Sequence, residues 1–161
     1  MHSIITHGIE ISVKTRYYAP QSDPKNNHYF FVYEITITNK SDYTVKLLKR
    51  HWDITDGLGE KREVEGEGVV GETPSLEPGE SFAYNSGCNF VTDIGKMSGY
   101  YTMKKLVDQS EFKVTIPEFV MVLPAKLNWS NCKDAITLKR DSQSSLRNLS
   151  ANYFPLVVKL L

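Results

Sequence analysis

Polar and apolar residues alternate along much of the chain, which is typical of half-buried β-strands. Residues 9–17, IEISVKTRY, place every second side chain on one largely apolar face. Residues 28–38, HYFFVYEITIT, alternate in the same way. Phe30 and Val32 lie on the opposite face of this second stretch. We therefore expect its beginning to be covered on both sides.

The alternation shifts by one residue within the stretch 45–55, VKLLKRHWDIT. Val45 and Leu47 define the apolar face at the start, whereas Trp52 and Ile54 define it further on. A change of phase inside a strand predicts a β-bulge, in which one extra residue is inserted on one strand of a pair.

Segments rich in Pro, Gly, Asn and Asp separate the alternating stretches at intervals of about 10–15 residues. They are APQSDPKNN (19–27), NKSD (39–42), DGLG (56–59), TPSLEPGE (73–80) and VDQS (107–110). No sustained 3.6-residue periodicity is found before residue 130. We predict an all-β fold of seven or eight strands, an antiparallel β-sandwich or barrel.

The C-terminal part of the chain has a different character. Residues 130–161 contain five basic and two acidic residues, a net charge of +3, which leaves −3 for residues 1–129 of this neutral chain. The part is rich in Ser and Asn and ends in the apolar segment YFPLVVKLL. We predict one domain over 1–129 and an extension over 130–161 that is flexible or loosely docked, with a further strand or short helix as the alternative.

Composition narrows the classes of protein. The zero net charge gives no strong nucleic-acid signal. A count of two cysteines predicts no disulfide framework and fits a reducing compartment. No apolar run approaches the roughly 20 residues that span a bilayer, and the N-terminal residues lack a basic leader region. We expect a cytoplasmic protein without a membrane segment.

Residues 66–71, GEGVVG, match the dinucleotide-binding fingerprint G-x-G-x-x-G. That fingerprint requires a helix beginning within it, and Pro74 and Pro78 follow too closely for such a helix. The dinucleotide-binding interpretation is therefore rejected. Two alternatives stay open: an anion-binding nest of glycine N–H groups, and glycines that permit a bulge or a close approach of neighbouring backbone. The second is favoured because Glu65, Glu67 and Glu72 would repel a phosphate.

Other residue types that carry chemistry give weak signals. His51 and Asp53 share a strand face, but they supply two ligands where a closed structural metal site has four. Ser86 and Cys88 are nucleophiles without an ordered base nearby in the sequence. We predict neither a metal site nor a catalytic residue, and no cofactor.

The remaining candidates are assigned to the fold. Trp52 and Trp129 are interpreted as core anchors. Lys46, Lys49 and Arg50 are interleaved with apolar residues, which predicts that they occupy the outer face of a strand.

Three longer strings together closely resemble the ApaG family. They are RHWDITDGLG (50–59), VEGEGVVGETPSLEPGESFAY (64–84) and SGCNFVTDIGKMSGYYTM (86–103). The segments YAPQSDP (18–24) and FKVTIPEFVMVLP (112–124) fit as well, so the resemblance spans roughly residues 5–128.

The resemblance implies a fibronectin type III-like, immunoglobulin-like β-sandwich. It also implies a protein without established enzymatic activity, linked genetically to diadenosine-tetraphosphate hydrolysis and to cobalt and magnesium homeostasis. In this family the glycine-rich segment has been proposed to bind pyrophosphate or nucleotide, and the eukaryotic domains are regarded as protein-interaction modules. The positions implied here are Gly66, Gly68 and Gly71, bordered by Arg50, Trp52 and Asp56.

We therefore expect a non-enzymatic binding module that engages a protein partner through the surface around 66–72 and 50–56. The alternative is a pyrophosphate- or nucleotide-binding protein, with a divalent cation offsetting the nearby glutamates. Exposed edge strands would allow a homodimer.

Overall fold

The computed structural model describes residues 2–124, and all long elements within that range are β-strands. The strands are β1 (His2–Thr6), β2 (Ile9–Tyr17), β3 (Tyr29–Asn39), β4 (Val45–Asp56), β5 (Lys61–Glu67), β6 (Ser75–Leu76), β7 (Ser81–Phe90), β8 (Ile94–Lys105) and β9 (Glu111–Val122). Two short 3₁₀ turns, Ala19–Gln21 and Pro24–Asn26, lie between β2 and β3. The predicted extension over 130–161 and the predicted core role of Trp129 lie outside the described residues.

The strands form two antiparallel sheets. One has the order β1-β2-β3-β7, and the other has the order β5-β4-β8-β9 with β6 paired to the start of β4. Between the sheets lie the inward-facing residues of every long strand, and this confirms the predicted antiparallel β-sandwich. Phe30 and Val32 are buried on the other face of β3, as the sequence predicted.

Two strand boundaries differ from the sequence prediction. The N-terminal strand β1 is additional, since HSIIT contains adjacent isoleucines and no alternation. The stretch KREVEGEGVVG (61–71), which its composition and position predict as one strand, forms a strand only as far as Glu67. The backbone beyond it turns, because Val70 and Gly71 both have positive φ angles, 46° and 86°.

The predicted bulge in β4 is confirmed. Leu47 pairs with Met103 of β8 and Lys49 pairs with Thr102, so that Leu48 is the extra residue. After the bulge, Arg50, together with the buried Trp52 and Ile54, is on the inner side of the sheet. The prediction that Arg50 lies on the outer face is therefore wrong, since it had placed Arg50 in one cluster with Lys49.

Three aromatic rings join the two sheets at the centre of the core. Trp52 of β4 lies 5.6 Å from Tyr33 of β3 and 6.0 Å from Phe119 of β9, measured between ring centroids. Tyr33 and Phe119 are 5.9 Å apart. All three side chains are almost completely buried. These distances fall within the range of favourable tilted and edge-to-face pairs, which confirms the core role predicted for Trp52.

We expect Trp52→Ala to lower the free energy of unfolding by about 3–5 kcal/mol, because it removes the ring that contacts both neighbours and leaves a cavity. Urea denaturation followed by tyrosine fluorescence and circular dichroism measures the loss. Val120→Ala is the control, since Val120 is half exposed on β9 and should change stability by less than about 0.5 kcal/mol. Similar losses for the two variants would contradict the central role of Trp52.

Candidate functional site

The glycine-rich segment forms a tight hairpin turn directly after β5. The N–H of Val69 donates to the carbonyl of Glu72 over 2.8 Å, and the N–H of Glu72 donates back over 2.9 Å. The two residues between them, Val70 and Gly71, both have positive φ angles, as in a type I′ turn. A β-branched residue in this conformation is strained, and packing of Val70 against the core opposes that strain.

Gly68 connects this turn to the bulge in β4. Its N–H donates to the carbonyl of Leu48, the inserted residue, over 2.8 Å. Its φ angle is +56°, and a Cβ at this position would collide with the carbonyl oxygen of Glu72. Glycine is therefore required at residue 68, because only a residue without a side chain can bring its amide to the bulge here.

Gly66 makes room for the side chain of Arg50. The two residues are paired across β4 and β5, and a Cβ on Gly66 would lie 2.8 Å from Nη1 of Arg50. The Arg50 Nη1 group donates to the carbonyl oxygens of Glu67 over 3.0 Å and of Gly68 over 2.9 Å. The guanidinium thus holds the end of β5 to the inner edge of β4.

The hydrogen bonds of the turn differ from those of a phosphate-binding loop. The N–H groups of Gly68, Val69 and Glu72 already donate to backbone carbonyls. The carbonyls of Glu67 and Gly68 are directed at Arg50. Anion-binding nests present free N–H groups, whereas the N–H groups of Gly68, Val69 and Glu72 donate within the chain and two carbonyl oxygens accept from a cation of the same chain.

The six residues implied by the family resemblance fall into three places. Arg50, Gly66 and Gly68 are in contact, and Gly71 lies in the adjacent turn. Trp52 is fully buried in the core and is not accessible to a ligand. Asp56 lies at the other end of β4, where its Oδ1 accepts the N–H groups of Leu58 and Glu60.

A buried polar cluster beside Arg50 was not predicted from the sequence. The hydroxyls of Tyr84 and Tyr101 are hydrogen-bonded to each other in the core, and Tyr33 is hydrogen-bonded to Ser86. Burial raises the pKa of all three tyrosines well above the usual value, and the charge of Arg50 opposes this shift. The tyrosines therefore stay protonated and serve as internal hydrogen-bonding groups.

The outer face of the same strands carries a row of paired polar side chains. His51 lies 2.8 Å from Glu65 and 3.5 Å from Asp53, and its ring stacks on Tyr100 at 4.6 Å. The ammonium of Lys113 lies 3.9 Å from the Tyr100 ring centroid. The hydrogen bond that His51 donates to the Glu65 carboxylate raises the pKa of His51, and the hydrogen bond to Asp53 and the charge of Asp53 act in the same direction. An open groove of about 260 Å³ runs over this row and Gly66.

The residues considered as nucleophiles are inside the sandwich. Ser86 and Cys88 are both buried, and burial raises the pKa of the Cys88 thiol despite the nearby guanidinium of Arg62. A reactive cysteine requires the opposite shift. Within residues 2–124, no group of three His, Cys, Asp or Glu side chains is arranged to hold a metal ion, and no helix has the length and apolarity of a membrane span.

Exposed apolar side chains lie away from the glycine-rich turn. Within 65–73, Val69 is fully buried and Val70 is partly buried. At the far end of β4, Leu58 is 74% exposed, Val91 is 50% exposed and Ile94 is also exposed. We call these three residues the turn-end patch, because Leu58 lies on the β4–β5 turn, Val91 lies on the β7–β8 turn and Ile94 begins β8 directly after that turn.

The fold and these sites define a small antiparallel β-sandwich domain. The carbonyl oxygens of its glycine-rich segment accept hydrogen bonds from an arginine of the same chain. The ApaG domain pattern matches residues 19–105. ApaG proteins of Brucella canis and Mesorhizobium japonicum are each 46% identical to this chain over 124 residues, which is 77% of this chain and 95% of each relative. The chain belongs to the ApaG family.

A solved structure agrees with this assignment. The crystal structure of a Bordetella pertussis protein described as ApaA is 43% identical to this chain and superposes with a TM-score of 0.70. The match covers 72% of this chain and 94% of the Bordetella chain. The sandwich described above is thus shared with a solved relative over nearly the whole of its length.

We expect Gly68→Ala to destabilise the domain by more than Gly59→Ala. Both glycines have positive φ angles, but a Cβ at Gly59 meets no atom within 4 Å. Gly59→Ala should therefore cost only the conformational term, about 1 kcal/mol, whereas Gly68→Ala must also displace the backbone at Glu72. Thermal and urea unfolding measure both losses. Equal losses would show that the close approach at Gly68 is not needed.

We expect the stability supplied by His51 to be present at low pH and lost as the pH rises. A pKa raised in the folded state means that the folded protein holds the proton more tightly than the unfolded chain. The stabilisation is therefore complete below the unfolded value of about 6.5 and disappears as the pH rises through the folded value. NMR titration of the imidazole measures the folded pKa.

Replacing Glu65 tests the cause of this shift. Glu65→Gln should lower the pKa of His51, because it removes the carboxylate that contacts the ring. Glu63→Gln is the matched control on the same strand and should leave the pKa unchanged. An unchanged pKa in Glu65→Gln would exclude Glu65 as the main cause.

Proposed function

We propose that the chain is a non-enzymatic binding module that engages a protein partner through the turn-end patch. The observation that carries the proposal is the exposure of Leu58, Val91 and Ile94 at the β4–β5 and β7–β8 connections, which are hydrogen-bonded to each other through Gly57 and Thr92. Neighbouring exposed apolar side chains on a folded domain are typical of interaction sites. Residues 50–56 of β4 connect this patch with the glycine-rich turn, which is itself polar at its surface.

Hydrogen bonds fix the backbone that displays the patch. The N–H of Gly57 donates to Oγ1 of Thr92 over 2.8 Å, and this hydroxyl donates to the carbonyl of Ile94 over 2.7 Å. On the other turn, Oδ1 of Asp56 accepts the N–H of Leu58 over 2.9 Å. A surface that is ordered before binding loses less conformational entropy when a partner docks.

Charged side chains lie beside Val91 of the patch. A groove of about 140 Å³ beside Val91 is lined in part by Asp56, Glu60, Lys61 and Arg62. An apolar centre with a rim of both charge signs is the usual arrangement of a protein–protein interface. The groove is well below the roughly 300 Å³ at which small-molecule sites begin, which favours a macromolecular partner.

The pyrophosphate or nucleotide alternative receives less support. It would use the glycine-rich turn, where the N–H groups of Gly68, Val69 and Glu72 already donate hydrogen bonds to backbone carbonyls. Arg50, the cation nearest the turn, is engaged by two carbonyl oxygens. A phosphate would have to displace these bonds, whereas a partner at the turn-end patch would displace none of them.

We expect the double variant Leu58→Asp/Val91→Asp to lose its protein partner, because it places two carboxylates in the apolar centre. The tagged full chain is used to capture proteins from source cells. The partner is then purified, and its affinity is measured by isothermal titration calorimetry. Truncating interface anchors typically costs more than about 1 kcal/mol each, so the affinity should fall at least about tenfold.

Val107→Asp is the matched control. Val107 is 79% exposed on the β8–β9 turn at the opposite end of the sandwich, and its variant should bind as the original chain does. Circular dichroism checks that all variants are folded. The assignment of the patch would be contradicted if the double variant bound the partner as tightly as the original chain. It would also be contradicted if Val107→Asp lost as much affinity as the double variant.

A further inference from the structure

Strand β1 is an edge strand with an apolar, exposed surface. Ile5 is 56% exposed and Ile4 is 38% exposed, and His2 and Ser3 are exposed as well. One side of β1 pairs with β2 over all five residues. Among residues 2–124, no other strand pairs with its second side, although β9 of the opposite sheet lies close by.

The other long edge strands carry features that discourage pairing with another chain. In β9, Pro117 lacks an N–H, and the register shifts between Ile116 and Phe119. In β5, five of the seven residues are charged. In β7, the carbonyl of Asn89 accepts a hydrogen bond of 2.6 Å from the guanidinium of Arg62, so this carbonyl is already paired within the chain.

β1 has none of these features. Its sequence, HSIIT, contains no Lys, Arg, Asp, Glu or Pro. The nearest charged group on β2, Glu10, is paired with Lys40 at 2.9 Å. The edge formed by β1 therefore contributes two exposed isoleucines and no carboxylate or ammonium group, and a second strand can approach it without facing an unpaired charge of β1 or of Glu10.

We propose that β1 pairs with β1 of a second copy of this chain, antiparallel about a two-fold axis near Ile4. In this register Ile4 faces Ile4 of the second copy, Ser3 faces Ile5, and His2 faces Thr6. No acidic or basic pair of like sign is formed, and aliphatic pairs across antiparallel strands are favourable. The pairing joins the two four-stranded sheets into one and satisfies both edges in one closed contact.

The size of the contact sets the expected affinity. Two five-residue strands bury less than the roughly 1,200 Å² of a standard stable interface. We therefore expect a weak dimer, with a dissociation constant on the order of micromolar to millimolar. This proposal is independent of the turn-end patch, which lies on different strands.

The test uses sedimentation equilibrium of the full chain over a micromolar-to-millimolar concentration series. The original chain should show a reversible monomer–dimer equilibrium. Ile4→Lys and Ile4→Glu should each be monomeric, because each places like charges opposite one another at the two-fold axis. An equimolar mixture of the two variants should restore the dimer, which a folding defect would not do.

Glu63→Lys is the control, since Glu63 lies on β5, an edge strand of the second sheet, and it should dimerise as the original chain does. Three results would overturn the proposal. They are a monomer at every concentration, a dimer that Ile4→Lys leaves intact, and a monomer in which all the β1 amides resist hydrogen exchange. The last would mean that another segment of the same chain covers the edge.

Discussion

The rest of the structure depends on one inserted residue, Leu48 in β4. Before it, Val45 and Leu47 face the core, and after it Trp52 and Ile54 do so. Without the insertion, the period of two would direct Lys49, His51 and Asp53 into the sandwich and would place Trp52 in solvent. Burial of three ionisable groups without matched partners would cost far more than the bulge does. The inserted residue therefore accounts both for the central aromatic contact and for the polar row on the outer face.

A bulge leaves a backbone group without its ladder partner, and the glycine-rich turn supplies one. Gly68 donates to the carbonyl of Leu48, and Gly66 leaves space for Arg50, which the same bulge has turned inward. The letters of GEGVVG are thus explained by backbone geometry within the domain. Glycines in such a motif occupy positions where a side chain does not fit. Either a bound pyrophosphate or a neighbouring strand can exclude the side chain.

Much of this fold could be predicted from the sequence, because the alternation of polar and apolar residues indicates which side chains are buried. The phase change between Leu47 and Trp52 was sufficient to predict the bulge. The strand β1 was missed, since it is short and only its pairing with β2 identifies it. The turn at Val70 was missed because positive φ is unfavourable for a β-branched residue, and tertiary packing overrides that preference. The contact of Arg50 with Gly66 is likewise set by pairing of β4 and β5, which no local pattern contains.

The two proposed contacts use separate parts of the sandwich, and this separation has a consequence for binding. The turn-end patch lies on the β4–β5 turn and at the connection from β7 to β8, whereas β1 is the edge strand of the first sheet on the side away from β7. A dimer through β1 would leave both patches open and would carry them on one rigid body. A partner with two binding positions would then meet the second patch at a high effective concentration, so that a weak dimer and a small patch together give tight binding. The same partner would in turn favour the dimer by mass action, because it binds the paired form better than the single one.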